Sequence, residues 1–108
     1  MEIFLTRKVQ QKLLPRVKYW QKITGLKANW IGLYPFKGRW ANCNEDNEIE
    51  FHPRCMEFSA VVADYIIVHE LCHILHKDHS KIFWSLVEQY YPNWRDCHAI
   101  VEKSGRSF

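Results

Sequence analysis

The chain is poor in the residues that break or over-flex a backbone, with four glycines and four prolines among 108 residues. Collagen-like and low-complexity architectures are thereby excluded, and 47% hydrophobic with 25% charged residues excludes a disordered chain as well. It has no C-x-x-C pair: Cys43, Cys55, Cys72 and Cys97 stand far apart. Such spacing argues against cysteine ligation of a metal, and the expectation is reduced, mostly buried thiols. No apolar run approaches the roughly 20 residues of a membrane-spanning helix. The first residues turn charged at Arg7 and Lys8 before a signal-peptide core could develop, so a single cytoplasmic domain over 1–108 is expected.

Acid is scarce in one half of the chain. Residues 1–40 hold Glu2 alone against nine Lys and Arg, whereas residues 41–108 hold eleven acids against six bases. A basic half can attract an anionic partner such as a nucleotide or DNA. No nucleic-acid-binding motif accompanies it, which favours a solvated helix face that meets the acidic half of the same fold.

Aromatic residues are plentiful, at 15%, and support a core despite the short length. Val9, Leu13, Val17 and Trp20 recur at helical steps between Thr6 and Gly25, with Pro15 expected to kink or divide that helix near Leu14. Residues 27–52 lack this period and read as short strands separated by turns at Lys37-Gly38 and Asn44–Asn47. Glu48–His52 alternates, Ile49 and Phe51 to one side and the polar residues to the other. From about Met56 to Leu75 the chain is apolar nearly all round, the pattern of a buried central helix. Ser80 is placed to cap a helix through Tyr90, and Asn93 to start a last one through Val101. The fold class expected is α+β: an N-terminal helix, a small antiparallel sheet, the central helix and two further helices.

The chemistry lies in His69-Glu-Leu-Cys-His73, an H-E-x-x-H on the buried helix. At about 1.5 Å rise per residue, histidines four apart lie on one face about 6 Å from each other along the axis, close enough to share an ion. Glu70 sits on the flank, where it can act as general base on a metal-activated water. With His at about 2% and Glu at about 6% of ordinary sequences, a chain of this length shows the pattern by chance roughly three times in a thousand. Zinc suits imidazole ligands, with other divalent metals as alternatives. For a third ligand, His76 continues the same face about 10 Å from His69, too far along the helix for bonds of about 2 Å. His79 follows, where the chain can turn back before the Ser80 cap, and is favoured. His52 and His98 read as surface or rim histidines. A second oxyanion donor is expected from Arg54, Tyr90 or His52, and Glu48–His52 is the expected sheet edge for a peptide to join.

These residues, together with Lys37-Gly-Arg-Trp40, Tyr65-Ile-Ile-Val68, His79-Ser80, Phe83-Trp84, Leu86-Val87 and Pro92-Asn-Trp94, resemble the YgjP-like metal-dependent hydrolases, relatives of the WLM and SprT-like zincins. The resemblance implies a minimal zincin domain, a zinc site of His69, His73 and His79, Glu70 as general base, and a peptide or protein substrate. It departs from the family pattern at Ala41-Asn42 after Trp40, and at His52. Two other functions are compatible with the residues: hydrolysis of a nucleotide or other phosphoanhydride, and a non-catalytic, metal-stabilised DNA adaptor.

Overall fold

The computed structural model describes residues 2–107. Helix α1 (Glu2–Thr24) leads to strands β1 (Trp30–Leu33), β2 (Ala41–Cys43) and β3 (Glu48–Phe51). A single tight turn at Cys55–Glu57 precedes α2 (Ala60–Cys72), α3 (Lys81–Tyr90) and α4 (Trp94–Lys103). The architecture is α+β, as the sequence predicts.

Helix α1 buries Val9, Leu13, Val17 and Thr24, four positions on one helical face. Gly25 ends it at φ 74°, a left-handed conformation that favours glycine, with its N–H donating to the Gln21 carbonyl at 2.9 Å. Of the two outcomes expected at Pro15, a division does not occur: α1 is continuous through it. Pro15 and Gln11 both lie on the exposed face, so the Gln11 carbonyl that loses its helical partner can be hydrated. Arg16 clamps α1 to α2 through a two-pronged pair with Asp64, at 3.1 and 2.6 Å.

The sheet is mixed rather than antiparallel, in the order β1-β3-β2. Strand β3 pairs antiparallel with β2 (Ala41 opposite Phe51) and parallel with β1 (Ile31 opposite Ile49). Alternation correctly places Ile49 and Phe51, both wholly buried, on the core face. Alternation does not specify the direction of a partner strand, however, and residues 34–40 carry the chain from β1 across to the far side of β3. Glu48–His52 is therefore the central strand, and not the free edge expected from sequence. The turn at Asn44–Asn47 joins β2 to β3, with Asn47 at φ 60°. Beyond β2 the C-terminal segment runs alongside: the Ser107 N–H donates to the Gly38 carbonyl at 3.1 Å, and the Trp40 N–H to the Ser107 carbonyl at 2.9 Å.

Helix α2 crosses the middle of the molecule, and every residue from Val62 to Cys72 is buried. Its limits are tighter than the apolar run suggests. Ser59 caps the start by accepting from the Val62 N–H, which leaves Met56 in the preceding turn. At the other end the backbone tightens: His73, Ile74 and Leu75 each donate to the carbonyl three residues back, at 3.1, 3.0 and 3.2 Å. Ser80 caps α3 by accepting from Phe83, as the sequence predicts. Phe83 and Val87 of α3 and Cys97 and Val101 of α4 complete the core around α2. Cys55, Cys72 and Cys97 are buried, Cys43 is half-buried, and all four are unpaired.

Candidate metal centre

His69 and His73 lie at the C-terminal end of α2, a turn apart and facing the same way. The tightened turns at 73–75 redirect the chain, so that His79, just before α3, comes back over them. The ligand atoms of these three imidazoles all lie within 4.8 Å of one another. His79 Nε2 is 3.2 Å from His69 Nε2 and 3.3 Å from His73 Nε2. An ion with tetrahedral bonds of about 2.0–2.1 Å to nitrogen holds its ligand atoms about 3.3 Å apart, so both separations suit a shared zinc-sized ion.

The protonation pattern agrees. His73 Nδ1 lies 2.8 Å from the carbonyl oxygen of His76. A carbonyl can only accept, so the proton is on Nδ1 and the lone pair of Nε2 faces the cluster. His76 thus contributes to the site through its backbone, while its imidazole lies outside the cluster, as the axial-distance argument requires. Burial is also the leading influence on the imidazole pKa values. It depresses that of His69 well below the usual histidine value, that of His73 to about 4, and that of His79 to a lesser degree. Neutral imidazole is the form that ligates metal.

Glu70 is 1% exposed, and burial raises its carboxyl to about pKa 8. Its Oε1 is buried without a hydrogen-bond partner among the described residues. A buried carboxylate oxygen without a partner, on the residue that follows His69, fits a cation and its water, and such an orphan is otherwise expensive to keep. The charge of Arg39 lowers the pKa of both Glu70 and His79, while its guanidinium donates to Asn42 Oδ1 at 2.5 Å. Arg39 thus lies beside the site, just before β2.

Aromatic rings form the wall. Phe83 stacks on His73 at 4.3 Å between ring centres, with planes 15° apart. Trp84 lies over His79 at 5.8 Å and stacks on Trp94 at 4.4 Å. A hollow of about 190 Å³ opens beside His79, lined by Trp84, His98, Glu102 and Ser107.

Two of the three oxyanion donors expected from sequence, Arg54 and Tyr90, are engaged elsewhere. Arg54 pairs with Glu57 in an exposed bridge at 3.0 Å, and the Tyr90 hydroxyl donates to the Thr24 carbonyl at 3.4 Å. His52 is buried against Trp40 and accepts from the Arg54 N–H at 3.1 Å. His98 stands at the rim, lining the hollow beside His79. It is half-buried, and its Nδ1 meets the Tyr65 hydroxyl at 2.8 Å, while the same hydroxyl meets His69 Nδ1 at 3.1 Å. Sequence reasoning missed Tyr65 and His98 as partners of the site. Tyr65 carried one usable signal, its position four residues before His69 on the same helix face.

Comparison with known proteins bears on the fold and the family. The crystal structure of the metallopeptidase zymogen of Pyrococcus abyssi abylysin superposes with a TM-score of 0.77 at 22% identity, covering 89% of this chain and 98% of that one. No curated protein matches the sequence. The family described as YgjP-like, metallopeptidase domain, matches residues 1–104, so this chain belongs to the YgjP-like metallopeptidase family.

Proposed function

We propose that this protein is a zinc-dependent peptidase in which His69, His73 and His79 hold one ion through Nε2 and Glu70 is the general base. The observation that carries this reading is the convergence of three Nε2 atoms, together with a buried, partnerless carboxylate oxygen on Glu70, the residue that follows His69. Zinc, when bound, supplies Lewis acidity, lowering the pKa of a coordinated water and polarising a substrate carbonyl. Glu70 takes the proton from the attacking water and delivers it to the leaving amine. Its raised proton affinity favours the uptake, and a bound cation would draw it back toward ionisation, so that the base form is present and the proton can be passed on. Phe83 and Trp84 exclude water from one side of the imidazoles and fix their planes. Arg39, whose charge acts on Glu70 and His79 and whose guanidinium is held by Asn42, is the cationic candidate to steady negative charge on the substrate, a role the sequence analysis left open among Arg54, Tyr90 and His52.

A peptide would add at an outer edge of the sheet, beside β1 or β2, because β3 is enclosed by its two neighbours. The neighbouring Gly38–Trp40 backbone already shows the capacity for such pairing, since it bonds Ser107. A phosphoanhydride substrate and a DNA-associated adaptor gain nothing from the structure or from its relatives. Lys12, Lys18 and Lys22 stand exposed on α1, away from every proposed ligand.

The test is a metal-loaded Glu70→Gln protein assayed on a peptide pool. Retained metal with turnover reduced about 10²- to 10⁴-fold supports the reading. Unchanged turnover rules out Glu70 as the base.

A further inference from the structure

Tyr65 links the proposed metal ligand His69 on α2 to His98 on α4. The hydroxyl lies 3.1 Å from His69 Nδ1 and 2.8 Å from His98 Nδ1, and His98 Nε2 lies 3.7 Å from Glu102 Oε2. Tyr65 is wholly buried, so its hydroxyl has these two imidazoles in place of solvent. A phenol has one proton to donate, which makes the direction of the whole chain depend on one end.

We infer that Tyr65 and His98 are positioning residues that set the tautomer and ring orientation of His69 for metal binding. The inference rests on His69 ligating through Nε2. That requirement puts the His69 proton on Nδ1, where it donates to the Tyr65 oxygen. The Tyr65 O–H then donates to His98 Nδ1, and the His98 proton resides on Nε2, facing the Glu102 carboxylate. Metal ligands of the zincin kind commonly have a hydrogen-bonded partner behind the imidazole. Here that support extends through a phenol and a second imidazole to another helix, so the seating of α4 on α2 and the affinity for metal depend on each other. His73 is oriented by a different device, the His76 carbonyl, and is independent of α4.

The test measures Zn²⁺ affinity by competition with a chromophoric chelator, and the visible spectrum of the Co²⁺-loaded protein. The variants are Tyr65→Phe, His98→Ala, His98→Asn and the Tyr65→Phe/His98→Ala double substitution. Tyr65→Phe and His98→Ala should each weaken Zn²⁺ binding about 10- to 100-fold and shift the Co²⁺ bands. The double variant should be no weaker than the worse single one, because both break the same chain. His98→Asn offers an amide oxygen near the position of Nδ1 and should recover most of the affinity. A hydroxyl with a packing role only would change the thermal midpoint of the metal-free protein and leave Zn²⁺ affinity and the Co²⁺ spectrum unaltered. That result overturns the inference, as do additive losses in the double variant. If Tyr65→Phe fails to fold, the His98 pair decides: equal affinities for His98→Ala and His98→Asn overturn it. Failure of the unsubstituted protein to bind Zn²⁺ removes the metal-site reading and this inference together, whereas normal binding with indifferent variants removes this inference alone.

Discussion

At the scale of single residues, the site is governed by burial. Glu70 and His73 are displaced in opposite senses, the carboxyl upward to about 8 and the imidazole downward to about 4, both chiefly through desolvation. Each has its own consequence for the stability of the metal-free protein. The unfolded Glu70 ionises near 4.5 and the folded one near 8, so stability contributed by its protonated state is full below 4.5 and lost as pH rises to 8. His73 acts the other way, its contribution being full above 6.5 and lost as pH falls toward 4. The two overlap below pH 6.5. His52, His69 and His79 act in the same sense as His73. The Glu70 effect is therefore isolated as the difference between the unsubstituted protein and Glu70→Gln, a loss of stability with rising pH of up to about 1.4 kcal/mol per unit between pH 6.5 and 8. Glu70→Gln should remove that slope. Urea midpoints at half-unit pH intervals measure it, and an identical slope in the variant would contradict the assignment.

At the scale of elements, α2 and α3 deliver the candidate ligands, and their ends matter more than their middles. His73 stands just past the last helical residue of α2, and His79 just before the cap of α3. Replacing Ser80 with Ala removes the bond accepted from Phe83 and should cost about 0.5–2 kcal/mol of stability. It should also weaken metal binding, because the residue before the cap loses its anchor. Urea denaturation and chelator competition on the same protein check both effects, and full stability would show that the cap is idle.

The same elements show what a sequence can and cannot disclose. His69 and His73 were legible because helical spacing alone puts them on one face, and His79 because only a residue beyond the helix can close the set. Ser80 and the buried run of α2 were legible through capping chemistry and unbroken apolarity. The parallel pairing of β1 with β3 was not, since alternation specifies a face and says nothing of a neighbour's direction. His98 was hidden for a related reason. Its meaning comes from Tyr65, 33 residues away, and only the packing of α4 against α2 brings them together. Whether Pro15 would divide α1 was not legible, because its cost depends on whether the orphaned carbonyl reaches water, which a residue list does not state.

At the scale of the whole molecule, charge and chemistry are separated. Lys12, Lys18 and Lys22 project from α1 into solvent, whereas the candidate ligands come from α2 and the segment leading into α3. Screening beyond about 8–10 Å isolates exposed charges from a distant buried site. Neutralising all three lysines should leave metal content and cleavage of a small neutral peptide unchanged. A several-fold change in either would show that α1 takes part in the chemistry. Among the described residues, no helix is long and apolar enough to cross a membrane.

The central claim is that three histidines from two segments hold one ion, with His76 serving only through its backbone carbonyl. Metal content per chain, measured by elemental analysis on the unsubstituted protein and on His69→Ala, His73→Ala, His79→Ala and His76→Ala, tests it most directly. One ion per chain is expected in the unsubstituted protein and in His76→Ala, with loss in the other three. Loss in His76→Ala together with retention in His79→Ala would contradict the account.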